Sequence, residues 1–150
     1  MSVGIVYFSK SGTTKRIAEQ TAAKLGMKPI ELKDNINWKG FIGFMKGGFY
    51  AMKDKHVEIT FDNTCLSCDE FIVMSPLWAG GPAPAAREFI RRVGADKVDL
   101  LLTNDGSDVT IAFNRTRKLF PKLKKTYGIT KKLKNKEIII EEIVKTYTKL

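Results

Sequence analysis

One histidine, two cysteines and no long apolar run set the first limits on this 150-residue chain. The lone His56 excludes acid–base chemistry that rests on a histidine pair and is expected in a surface loop. Cys65 and Cys68 form a single CxxC in "TCLSCDE", two thiolates short of a zinc site built from paired CxxC motifs. Redox CxxC pairs sit at helix starts, where the dipole favours a thiolate, whereas this one precedes the strand-like "EFIVMS". Two reduced cysteines, no metal and no catalytic side chain are expected. No apolar stretch approaches the roughly 20 residues that cross a bilayer, and the N-terminus lacks the pattern of a signal peptide, so a cytoplasmic protein is expected. The triphosphate loop G-x-x-x-x-G-K-[ST] and the dinucleotide fingerprint G-x-G-x-x-G are also missing.

Acids are absent from one segment. Residues 115–136 carry ten of the 26 basic residues and no Asp or Glu, and the remaining bases equal the 16 acids, so the whole net charge of +10 arises there. Such a segment is a solvated face or a docking surface for an acidic partner. Phe120 and Tyr127 are too few interleaved aromatics to argue for nucleic acid.

At 43% hydrophobic, the chain has material for one domain spanning 1–150. "VGIVYF" predicts a buried strand, and Ile17, Ala18, Thr21, Ala22 and Leu25 fall on one helix face that Gly26 closes. "MKPIELK" predicts an edge strand, "EFIVMS" a third strand, and a helix entered through Pro82 and Pro84 ends at Gly94. "KVDLLLT" predicts a fourth strand and "DVTIAFNRTRKLF" a helix that Pro121 bends or ends. A fifth strand is expected near Gly128 to Leu133 and a last helix over Glu141 to Tyr147, with isoleucines 138–140 ambiguous between them. Over 38–52, Trp38, Phe41, Ile42, Met45, Phe49 and Met52 keep helical spacing and predict packing against the sheet, with a partner surface as the alternative; Gly40, Gly43, Gly47 and Gly48 would permit close approach.

Alternating strands and helices predict a doubly wound α/β domain with a mostly parallel sheet, whose ligand sits beyond the carboxyl ends of the strands. Three loops fall at that edge: "SKSGTT", "SPLWAGGPAP" and "TNDGSD". In the first, a strand-to-helix turn offers unsatisfied N–H groups and the positive end of a helix dipole. Gly12 lets the backbone bend closely, and Ser9, Ser11, Thr13 and Thr14 add hydroxyls. The combination suits a terminal phosphate, with a merely capped helix start as the bland alternative.

The order S-x-S-G-x-T after strand one, "SPLWAGGPAPAAREFI" after strand three and a polar glycine-containing loop after strand four resembles the flavodoxin family, as does "GFIGFMKGGFYAMKDK". The resemblance reaches to about Thr110 and weakens beyond. It implies a flavodoxin-like three-layer sandwich with a five-stranded parallel sheet of order 2-1-3-4-5 and flavin mononucleotide (FMN) as cofactor. Ser9, Ser11, Gly12, Thr13 and Thr14, with Lys10 at the variable position, match the family's phosphate loop. Pro76, Leu77, Trp78, Ala79 and Gly80 match the second loop, where Trp78 would flank the ring and the backbone from Ala79 to Gly81 would meet its edge. Thr103, Asn104, Asp105, Gly106 and Asp108 match the third, which lacks the tyrosine many flavodoxins place there. The implied function is a low-potential electron carrier between redox proteins, with an acidic partner docking near the flavin edge. The alternative is a flavin-dependent oxidoreductase of the NAD(P)H:quinone reductase or protoporphyrinogen oxidase type.

Overall fold

The computed structural model of the chain describes residues 1–104, 109–130 and 135–149, without the side chains of Ala51 and Met52. Strand β1 (Val3–Tyr7) leads into helix α1 (Thr13–Lys24), followed by short strands β2 (Ile30–Glu31) and β3 (Lys33–Asp34). Helix α2 (Gly40–Met52), strand β4 (Ile59–Thr60) and a 3-10 turn precede the long strand β5 (Glu70–Trp78). Then come β6 (Gly81–Pro82), α3 (Pro84–Val93), β7 (Val98–Asn104), α4 (Thr110–Leu119), β8 (Thr126–Thr130) and α5 (Lys136–Thr148).

Five strands form a parallel sheet in the order β2-β1-β5-β7-β8, the arrangement expected for the five predicted strands. Strand alternation sends neighbouring side chains to opposite faces and so builds two cores. Ile5, Tyr7, Ile72, Met74 and Leu101 meet Ile17, Ala18 and Ala22 of α1 and Ile140 and Ile143 of α5. Val6, Phe71, Val73, Leu100 and Leu102 meet Ala86, Phe89 and Ile90 of α3 and Ala112 of α4 on the other side. The result is a helix–sheet–helix sandwich with all five strand ends pointing one way.

The punctuation read from the sequence holds: Pro84 opens α3, and Gly26 and Gly94 follow their helices with positive φ. Five expectations change. β5 runs through Pro76, Leu77 and Trp78, which were expected in a loop, because β6 folds back and pairs Leu77 with Pro82 and Trp78 with Gly81. The fifth strand occupies Thr126–Thr130, earlier than expected, and residues 131–134 lie outside the described ones. The isoleucine run belongs to α5, where Ile140, Ile143 and Tyr147 recur at helical spacing and are buried. β3 and β4 form a small antiparallel pair with no counterpart in the predicted elements.

The fifth change concerns α2. Its large apolar residues do not face the sheet: Phe41, Ile42, Phe44, Met45 and Phe49 are all exposed, while Gly43 and Gly47 are buried. A methyl group at Gly43 would lie 2.0 Å from the Trp38 carbonyl carbon, and one at Gly47 would lie 3.2 Å from the Trp78 ring. Only glycines fit so close to the Trp38 backbone and the Trp78 ring, so the bulky stripe turns outward.

Candidate functional site

The loop after β1 is built by its own small side chains. Gly12 adopts φ +93°, its N–H donates to Ser9 Oγ at 3.0 Å, and its carbonyl accepts the first α1 bond from Arg16 N–H. The N–H groups of Thr13 and Thr14 in the first turn of α1 have no acceptor within the helix. Ser11 and Thr13 hydroxyls stand 3.4 Å apart at the mouth, and the buried Thr14 hydroxyl is 2.9 Å from Thr103 Oγ1 at the end of β7. The first and third loops are thereby joined directly across the sheet edge.

A pocket of about 240 Å³ opens between them. Lys10, Ser11, Thr13 and Thr14 line one end, Pro76, Leu77 and Trp78 one wall, and Thr103 and Asn104 the far side. Among the described residues no carboxylate lines it, and Lys10 stands on the wall near the positive end of α1, a combination that favours an anion. Arg16 Nη1 approaches Gly12 from the next turn, 3.9 Å from where a Cβ would sit. Phe44 and Ile129 also line the pocket and Arg16 borders the loop, three contributions not singled out from the sequence. Arg16 was legible as the cation four residues after the loop glycine; Phe44 was hidden by the reading of α2 as a core helix.

Trp78 is half-buried, edge-on to Phe8 at 5.4 Å and to Trp38 at 5.2 Å, with Gly47 against its six-membered ring. Trp38 is itself held by Asp34, whose carboxylate accepts its indole N–H at 2.8 Å. Burial pushes the Asp34 carboxyl above its ordinary pKa, against the pull of the Ile36 and Trp38 N–H groups. The aromatic wall is thus fixed from behind and leaves the ring surface toward the pocket.

Ala79 and Gly80 make the two-residue turn between β5 and β6, both with positive φ, +46° and +85°. Ala79 borders a second, more apolar pocket of about 400 Å³ beneath α2, shared by Lys10, Phe44, Leu77 and Trp78. Gly80 instead faces Arg115, away from the pocket at the β1–α1 loop. Behind this turn Arg87 donates to Pro82 O and, with Arg91, to Asp54. Burial opposes ionisation of Asp54, but the bonds and charges of Arg91 and Arg87 outweigh it and hold its pKa below the ordinary value. Asp105, Gly106 and Asp108 lie outside the described residues.

The basic segment lies partly elsewhere. Lys124 N–H donates to Val98 O at the start of β7, so Lys122, Lys124 and Lys125 cluster at the amino edge of the sheet, opposite the site. Lys124 pairs with Glu70, and Arg117 caps the carbonyls of Leu123 and Lys124, leaving Lys118, Lys122 and Lys125 exposed. Among the described residues no group of His, Cys, Asp and Glu could hold a metal ion, and no helix is long and apolar enough to cross a membrane.

No protein-family model and no curated protein sequence matches the chain. Solved structures do. A flavoprotein from Lactobacillus acidophilus, in complex with FMN, is 20% identical over 86% of this chain and 91% of that one, with a TM-score of 0.69. A candidate flavoprotein from Bacteroides eggerthii is 18% identical over 97% and 96%, with a TM-score of 0.77. A WrbA-like flavodoxin from Agrobacterium tumefaciens is 12% identical over 97% and 99%, with a TM-score of 0.53. Strand order, layering and these likenesses together show that the chain has the flavodoxin-like fold.

Proposed function

We propose that the chain binds FMN at the carboxyl edge of the sheet and serves as an electron-transfer flavoprotein. The observation that carries this reading is the pocket in which the Ser11–Thr14 helix start, the Trp78 wall and the β7 end converge, with Lys10 on its wall. The Lactobacillus acidophilus protein of similar fold, crystallised with FMN, supports the choice of ligand. The donor set suits a phosphomonoester: the N–H groups of Thr13 and Thr14 and the hydroxyls of Ser11 and Thr13 would hold the phosphate, with Lys10 and Arg16 supplying positive charge. Trp78 would lie along the ring and exclude water on that side. Bound FMN would supply reversible one- and two-electron redox chemistry, and no catalytic side chain is then required.

The test compares FMN with riboflavin, which lacks the phosphate. A hydrogen bond to a charged group contributes roughly 1.5 to 3 kcal/mol, so Thr13→Ala and Ser11→Ala should each weaken FMN about 10- to 100-fold and riboflavin little. Equal losses for both ligands in a fluorescence titration would show that the loop does not hold the phosphate.

The pocket beneath α2 favours a second reading, a flavin-dependent oxidoreductase of the quinone reductase type. It is apolar, adjoins Trp78, and has room for a small planar substrate beside the ring. Rapid NAD(P)H oxidation dependent on an added quinone would select it; reduction only through another redox protein would select the carrier.

A further inference from the structure

The outward stripe of α2 is the feature that neither the fold nor the cofactor site uses. Phe41, Met45 and Phe49 recur every four residues with Ile42 beside them, exposed by 76%, 59%, 47% and 70%. Soluble domains seldom display so many large apolar groups side by side without a partner. Rotation of the helix cannot hide them, because the inward face, which also carries Tyr50, leaves no room for a side chain at Gly43 and little at Gly47.

The charge around the stripe argues for one kind of partner. α2 contains no acid, and Lys46 is its single charge. Lys39, Lys53 and Lys55 flank it, all exposed, and Lys55 Nζ reaches to 5.3 Å from the Phe49 ring centroid. Between Lys39 and Val57 the one carboxylate is Asp54, already paired with Arg87 and Arg91. A second copy of the chain would bring these lysines against their own kind. A protein partner ordinarily exchanges about one hydrogen bond per 100–200 Å² of interface, and the exposed large side chains of this stripe offer no donor or acceptor. Aromatic and aliphatic groups ringed by lysines match a helix lying in the plane of an anionic lipid surface, with the lysine stems reaching outward to the phosphates.

We propose that α2 is a membrane-surface docking element that seats Phe41, Ile42, Met45 and Phe49 in the headgroup region of an anionic bilayer, with Lys39, Lys46, Lys53 and Lys55 on its phosphates. This goes beyond the cofactor reading and does not depend on it. The docked face adjoins the pocket beneath α2 through Phe44 and Met45, so the lipid surface would lie beside that pocket.

Co-sedimentation of the full chain with phosphatidylcholine vesicles, with and without phosphatidylglycerol, tests the proposal. Binding to the anionic vesicles only is expected, weakened by salt. Phe41→Ser with Phe49→Ser should reduce it by about tenfold for each phenylalanine withdrawn from the lipid. Lys46→Glu should reduce it by about fivefold or more. The melting temperature and FMN titration should be unchanged in these variants, which separates loss of docking from loss of fold or cofactor. Absence of binding to anionic vesicles overturns the proposal. So does binding that survives the serine pair but fails with Lys118, Lys122 and Lys125 reversed, which would assign it to the distant basic edge. A wild-type dimer in sedimentation equilibrium that dissociates in the serine variant would overturn it in favour of a second copy.

Discussion

Replacing the glycines of α2 one at a time by alanine measures which way that helix faces. At Gly48 no heavy atom lies within 4 Å of a new methyl group, so Gly48→Ala should gain the full helix propensity difference of about 0.8–1.0 kcal/mol. For a domain of this size that raises the melting temperature by about 2–4 °C. At Gly47 the same gain is opposed by the Trp78 ring, whose Cε3 and Cζ3 would stand 3.2 and 3.3 Å from the added Cβ. The ring must give by a few tenths of an ångström, so stability should change little while the intrinsic tryptophan emission shifts. At Gly43 the obstacle is backbone, with the Trp38 carbonyl carbon and oxygen at 2.0 and 2.1 Å. No side-chain rotation relieves that contact, and Gly43→Ala should cost at least about 3 kcal/mol, the upper part of the overpacking range. Urea and thermal unfolding of the three variants give the order directly. A tolerated Gly43→Ala beside a destabilising Gly48→Ala would mean that the helix is rotated and its aromatic stripe is inside, refuting the packing and the docking surface together.

Two further outcomes follow from local geometry and burial. In the β5–β6 turn, Gly80→Ala should destabilise by about 1–2 kcal/mol because of φ +85°, and removing Arg115 as well should restore little, since its guanidinium can swing aside. Ala79→Gly, at φ +46°, should stay within about 0.5 kcal/mol of the wild type, because relieved strain and added chain entropy offset each other. Tyr127 is pushed from 10.0 up to about 12, by burial first and then by the charges of Asp99 and Glu142. A raised pKa means that the folded state retains the proton, so this contribution is complete below pH 10 and is lost as pH rises toward 12. Denaturant midpoints across that window should fall, and less steeply in Tyr127→Phe; an identical alkaline slope in the variant would remove Tyr127 as a cause.

The sheet was legible because its strands are continuous apolar runs, β-branched in "VGIVYF" and leucine-rich in "KVDLLLT". The turn from β1 into α1 was legible because hydroxyls and one glycine between a strand-like run and a helical pattern signal a helix start, and the structure places α1 there with Gly12 at positive φ. What failed was orientation. In α2 both the apolar stripe and the glycine stripe repeat at helical spacing, and hydrophobicity selects the wrong one when close approach, not area burial, decides the contact. The end of β5 failed for a related reason: Ala79 adopts a left-handed conformation that alanine rarely signals, so the hairpin to β6 had no turn signature beyond its glycines. The partner expectation for residues 115–136 was drawn from charge alone, and charge does not say at which end of a strand a lysine will emerge.

The hydroxyl pair of Thr14 and Thr103 has a consequence for the order of folding. The two residues are 89 apart in sequence, and their side chains meet only when β1, β5 and β7 are already aligned in register. Contacts of such separation carry a loop-closure cost that nearby contacts do not, so the pair is a late acquisition. A chain with only α1 and β1 formed would have the glycine turn but not the joined edge. An anion bound there, as proposed, would therefore act on the cooperative unfolding of the whole sheet, and amide exchange in β1 and β7 should slow together on addition of FMN.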